Sequence, residues 1–311
     1  MRFRLRGRRA CLTLTAALAV FSLGSGAAPT SALPAPPQGW RVAWADDFTG
    51  RAGGLPDGSR WIIDQGTQYP GGPPHWGTGE VQTYTDDPAN LRLDGQGRLR
   101  ITPLRDRAGR WTSGRIETRR SDFQPPEGGK QRIEARIQLP SVTGPAAEGY
   151  WAAFWTLGAP YRQGIPVPEA GEFDIMENAN GLNRVWGALH CGTPGGQPCN
   201  ESTGLAADTA CTTSPCPGNF HTYTLEWDRS SPTEYLRWYV DGRLFHTVSS
   251  TQVDPAAWKA ATGHGHFILL NLAIGGSFPD VLAGHHTPTA RTRPGSPMLV
   301  DFVTVLTTAP R

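Results

Sequence analysis

Three acids stand close together in one short apolar run, Gly171-Glu172-Phe173-Asp174-Ile175-Met176-Glu177-Asn178. On a β-strand alternate side chains share a face, which puts Glu172 and Asp174 together. Glu177 is five residues beyond Glu172, so a regular strand sends it to the opposite face. One β-bulge, absorbing Ile175 or Met176, returns it to the same face. At a rise of ~3.3 Å per residue the two glutamate backbones then lie roughly 13 Å apart. Side chains leaning toward each other bring their carboxyls to the ~5–5.5 Å that suits attack on a sugar C1 with retention. Asp174 falls between them. Carboxylates this close cannot all ionise, so one remains an anion able to attack and another keeps a proton to donate to a leaving oxygen. The competing readings are a solvated acidic strand and a calcium site. Flanking by Phe, Ile and Met disfavours the solvated strand.

The elements that must hold such a trio are strands. Trp61-Ile62-Ile63 is one. Leu91-Arg92-Leu93 and Arg98-Leu99-Arg100-Ile101, joined through Asp94-Gly95, read as a hairpin. Arg132 to Ile137, Thr222 to Trp227 and Leu236 to Val240 alternate with period two. Asp241-Gly242 turns the last of these into Arg243 to Val248, and Phe267 to Ile274 and Met298 to Leu306 add two more. Pro255 to Ala261 is the only segment that reads as a helical turn. Many short strands with almost no helix predict an all-β jelly-roll sandwich of two antiparallel sheets, a single domain over residues 39–311 behind a short Pro-rich leader at 33–38.

Composition agrees. Of 311 residues, 38 are Gly and 28 are Pro, together 66, as many tight turns require. The 11 Trp exclude a disordered polar chain. Five of the 29 basic residues are Arg2, Arg4, Arg6, Arg8 and Arg9, leaving 24 against 27 acids from Arg41 onward, a net −3. That balance excludes nucleic acid as a partner. The arginines precede Ala10–Leu23, an apolar stretch of about 14 residues followed by small residues, which reads as an export signal over residues 1–32, secretory or twin-arginine. No later apolar run reaches membrane-spanning length. The mature protein is therefore expected to be extracellular, free of the membrane and monomeric. Four cysteines remain beyond the signal, Cys191, Cys199, Cys211 and Cys216. Their spacing lacks the paired CxxC of zinc sites, and we expect two local bridges, 191–199 and 211–216, each pinning a Gly/Pro-rich loop.

GEFDIMEN resembles the E-x-D-x-x-E signature of glycoside hydrolase family 16, in its bulged, laminarinase-like branch. The likeness continues in order along nearly the whole mature chain. It runs through Trp44-Ala45-Asp46-Asp47-Phe48, Glu80-Val81-Gln82-Thr83-Tyr84-Thr85, Thr112-Ser113-Gly114-Arg115-Ile116 and Gly149-Tyr150-Trp151-Ala152-Ala153-Phe154-Trp155. It then passes through Leu189-His190-Cys191-Gly192, Trp238-Tyr239-Val240-Asp241-Gly242 and Asn271-Leu272-Ala273-Ile274-Gly275-Gly276. The resemblance implies a concanavalin-like jelly roll with an open concave cleft and retaining endo-hydrolysis of β-linked polysaccharide. It implies Glu172 as nucleophile, Asp174 as its assistant and Glu177 as acid/base, with no cofactor required; a structural calcium is not readable. Trp151 and Trp155, i and i+4 on one strand, are expected as sugar platforms, Arg115 as a sugar hydrogen-bonder or a surface ion pair, and His190 facing the reacting sugar. Asn271 is either a cleft residue or an amide satisfying backbone. Trp227, Trp238 and Tyr239 are expected to be packing residues.

Two departures fall beside the cleft. The usual W-P-x-x-G-E is here Val167-Pro168-Glu169-Ala170-Gly171-Glu172, and the segment Cys191 to Cys199 is longer than the usual loop. The expected substrate is β-1,3-glucan, with mixed 1,3-1,4-glucan included. Galactan is the alternative, since Val167 leaves room for an axial hydroxyl. Transglycosylation, and a non-catalytic jelly-roll lectin, are the other readings.

Overall fold

The computed structural model describes residues 33–309, apart from 194 and 195. The expected export signal lies outside the described residues. Alternation sets the layers. Along Lys130–Gln138 the buried residues are Gln131, Ile133, Ala135 and Ile137, every second position. This strand lies at the middle of a back sheet, between Phe220–Asp228 and Met298–Thr308. Tyr235–Val240 and Arg243–Ser249 extend the sheet on one side; Leu99–Ile101 and Leu91–Leu93 extend it on the other, and Trp40–Asp46 also pairs with Met298–Thr308.

The second sheet carries the acids. Its order is Leu205–Thr209, Val185–His190, Glu172–Ala179, Tyr150–Gly158, His266–Ile274, Arg115–Thr118 and Trp61–Ile63. All pairings within these two sheets are antiparallel, as expected for a jelly roll. The acid-bearing strand is interior to its sheet, so its backbone is held from both sides and its cleft-facing side chains have little freedom. Its core-facing Phe173 meets Trp227 of the back sheet edge-on at 5.4 Å.

Two features differ from the sequence reading. A small third sheet joins Thr83–Tyr84, Trp111–Ser113 and Leu104–Arg105, and its first pairing is parallel. The expected helix is present as Pro255–Thr262, started by Asp254, whose side chain accepts from the backbone N–H of Ala256 and Ala257. A second helix, Ser277–Ala283, was not foreseen. At seven residues it is too short to display a helical repeat, and its internal Pro279 reads as a breaker.

His266 occupies the core directly beneath the acid strand, stacked on Phe173 at 4.1 Å. Its Nε2 donates to the Ala261 carbonyl at 2.9 Å and its Nδ1 accepts from the Thr156 hydroxyl at 3.0 Å. Both contacts suit a neutral ring, and burial pushes its pKa down to about 3. A histidine held neutral in the fold and free to protonate when unfolded contributes stability above its ordinary 6.5, lost as pH falls from there toward 3. The unmodified protein should therefore lose stability relative to His266→Gln by up to about 1.4 kcal/mol per pH unit below that point. Thermal melts of both proteins between pH 7 and 4.5 check this: the gap in Tm should narrow on acidification.

Candidate active site

The bulge is where the spacing requires it. Against Tyr150–Gly158, Phe154 pairs with Met176 and Trp155 with Asp174, leaving Ile175 as the extra residue. Against Val185–His190, the register slips between Asp174 and Glu177. Ile175 and Met176 are both buried in the core, so Glu172, Asp174 and Glu177 share the opposite face and line one cleft of about 550 Å³. A bulge interrupts the ladder and frees a carbonyl. Here the Asp174 carbonyl accepts from the Trp238 indole N–H at 2.7 Å, across the core from the back sheet. Trp238, expected to be packing alone, thus also fixes the bulged backbone. Gly187 makes room for it, since a Cβ there would lie 2.5 Å from the indole.

The acids differ in their partners. Glu177 Oε1 accepts from Trp151 Nε1 at 2.7 Å. Burial, then the nearby Asp174, push Glu177 up to about 8. Burial and Asp174 also push Glu172 well above its ordinary range, an effect that His190 opposes. Burial and the like charge of Asp174 act on both glutamates in the same direction, so neither ionises as readily as a free glutamate. The donor atoms of Glu172, Asp174 and His190 lie within 4.8 Å of one another. That set includes a ring nitrogen directed at Asp174 and suits proton sharing, not the six to eight oxygens that calcium takes.

The expected binding residues all line this cleft, and each has partners within the protein. Trp151 and Trp155 share its floor, and Trp155 Nε1 donates to Asn271 Oδ1 at 2.7 Å. Asn271 in turn donates to the Tyr84 hydroxyl at 3.1 Å, so it orients side chains and does not satisfy backbone. Arg115 is neither on the surface nor free. Its Nε pairs with the buried Asp64 at 3.0 Å and a second nitrogen donates to the Tyr69 hydroxyl at 2.9 Å. Its guanidinium lies 4.3 Å from the Trp76 ring and 5.0 Å from that of Trp155. Arg115 thus braces an aromatic wall. His190 has a carboxylate at each ring nitrogen, Asp174 and Glu201.

The cleft residues not foreseen include Tyr69, Trp76, Tyr161 and Glu201. The aromatics come from a loop and from short single turns, too brief for a repeat to mark them. Val167 is half-buried against Leu157, Phe267 and Leu269, and the wall of Tyr69, Trp76 and Tyr161 supplies aromatic surface that position 167 lacks. The two local disulfides, Cys191–Cys199 and Cys211–Cys216, are formed as expected. Their sulfurs pin loops and also join the hydrophobic core.

Residues 74–262 match the glycosyl hydrolases of family 16. The structure is similar to that of the endo-1,3-beta-glucanase from Streptomyces sioyaensis, with a TM-score of 0.88 and 53% identity over 90% of this chain and 100% of that one. It is also similar to the endo-beta-1,3-glucanase from Pyrococcus furiosus, with a TM-score of 0.69 and 29% identity over 88% of this chain and 96% of that one. The glucan endo-1,3-beta-glucosidase A1 of Niallia circulans is 30% identical over 284 residues, 86% of this chain; the match spans only 38% of that relative's length. The carboxylates brought together by the bulge and the extent of these matches lead to one assignment: the chain belongs to glycosyl hydrolase family 16.

Proposed function

We propose that this chain is a secreted, retaining endo-hydrolase of β-1,3-linked glucan. The observation that carries the reading is the placement of Glu172, Asp174 and Glu177 on one face of one bulged strand, at the floor of a cleft walled by aromatic rings. Glu172 attacks the sugar C1 while Glu177 gives its proton to the departing glycosidic oxygen, leaving a glycosyl ester on Glu172. Glu177, now a base, takes a proton from water, which attacks C1 and frees Glu172. Each displacement inverts the anomeric centre, so the product keeps the β configuration. Asp174 lies between the glutamates with its Oδ2 3.1 Å from His190 Nε2, and the positive His190 ring beside it favours the anion on Glu172. No cofactor enters these steps. Flat aromatic faces suit the C–H faces of glucose. The names of the relatives above support glucan as substrate, and two disulfides support an oxidising, extracellular setting.

A reducing-sugar assay over laminarin, lichenan, galactan and agarose tests the reading. Laminarin should be cleaved fastest, to mixed oligosaccharides whose first-formed ends are β, with lichenan slower and the galactans untouched. Cleavage of galactan with laminarin inert would move the assignment to the open space beside Val167. Products longer than the substrate would indicate transglycosylation, and binding without cleavage would indicate a lectin.

A further inference from the structure

Glu201 lies outside the trio, yet its side chain is only 6% exposed. A carboxylate this buried needs partners, and it has two. Its Oε2 faces His190 Nδ1 at 2.8 Å, and its Oε1 accepts from the Cys191 backbone N–H at 3.1 Å. On the other side of the ring, His190 Nε2 lies 3.1 Å from Asp174 Oδ2. The imidazole is thus clamped between an acid of the trio and an acid from the segment that follows the Cys191–Cys199 bridge. That bridge ties Cys199, two residues before Glu201, to the residue next to His190. The same segment closes around the ring edge at Gly204, where a Cβ would lie 3.0 Å from the imidazole.

We infer that Glu201 is a positioning residue of the reaction: it fixes the His190 ring through Nδ1, so that Nε2–H is held on Asp174 beside the nucleophile. The inference rests on the reading of Glu172, Asp174 and Glu177 as the reacting acids. An ionised carboxylate only accepts. A ring with one at each nitrogen therefore donates twice and carries a positive charge. Burial opposes that charge, but Asp174 and Glu201 outweigh it and hold the imidazole well above its usual range, with Glu172 adding to the effect. The charged groups around the ring are Glu172, Asp174 and Glu177 on the adjoining strand and Glu201 on the closing segment. On the outer strand, Asp208 is engaged by Arg184. A cation here lowers the cost of the anion on Glu172, and a ring fixed at both nitrogens cannot turn away from Asp174.

Glu201→Gln keeps the shape and removes the charge. With whichever polysaccharide the unmodified protein hydrolyses, kcat should fall about tenfold or more while KM stays within about twofold, equivalent to ~1.4 kcal/mol or more of barrier. Nitrogen-15 spectra of the imidazole read the ring directly and need no substrate, so they remain decisive if laminarin proves inert. In the unmodified protein His190 should be doubly protonated at pH 7.5, and in the variant it should become neutral at least one pH unit earlier. A kcat within twofold of the unmodified protein overturns the proposal whatever the ring does, since Glu201 would then only anchor its loop. Should the variant fail to fold, the unmodified protein decides: a neutral His190 at pH 7.5 overturns the proposal, and a doubly protonated one supports it.

Discussion

Glu172→Gln should lower hydrolysis by several orders of magnitude, on the order of 10⁴-fold, while the fold persists. Glutamine fills the same space but cannot form the glycosyl ester. Retention of more than about a tenth of the rate would defeat the assignment, because a tenth is only ~1.4 kcal/mol of barrier. The same substitution should raise thermal stability at neutral pH. Burial and Asp174 hold Glu172 well above its ordinary 4.5. A carboxylate raised in the fold contributes stability below its ordinary value, and that contribution is lost as pH rises toward the raised one. The variant avoids this loss, so its advantage in Tm should grow from about pH 4.5 upward. Paired melting curves and laminarin assays read both effects from one preparation.

Glu177→Gln should cost about 10² to 10⁴-fold on laminarin, the range expected for loss of a positioned proton donor. The loss should depend on the leaving group in a way that Glu172→Gln does not. An aryl glycoside whose phenolate departs unaided needs no acid, so its first displacement should remain fast, and added azide should restore turnover as a glycosyl azide that retains the β configuration. Glu177 is pushed up to about 8, so activity of the unmodified protein should decline as pH rises past that point and the donor loses its proton. The variant should lack this alkaline decline. A variant whose losses on laminarin and on the aryl glycoside were equal would place the acid elsewhere in the cleft.

The acid strand was legible because its chemistry and its packing share one short segment. Three carboxylates among core-sized side chains admit few conformations, and their spacing required a bulge at Ile175 or Met176, which the register places at Ile175. The disulfides were legible because local pairing was the simplest closure for cysteines so near in sequence. Arg115 lies in the cleft, but its pairing with Asp64 was not foreseen, because the two are 51 residues apart and no local pattern announces a buried pair between such positions. Trp76 and Tyr69 reach the cleft on a short single turn and a loop, too brief to have a period to read. Glu201 did leave a trace. Once Cys191 pairs with Cys199, a residue two positions beyond the bridge must return close to His190, and an acid there faces the ring.

The bulge also has a meaning in terms of parity. Glu172 and Glu177 are separated by an odd number of steps, so one residue between them must go uncounted by the ladder for both to face the cleft. Ile175 is that residue. Chain length is therefore negotiable at this one position of the strand. Removing the uncounted residue leaves an even separation and all three acids outward, at the cost of one core side chain and of the free carbonyl that Trp238 now holds. Losing a residue that is paired on both sides between the glutamates, with the bulge still present, would turn one of them into the core. A change of one residue in length is tolerable or ruinous here according to whether the deleted residue is one that the neighbouring strands count.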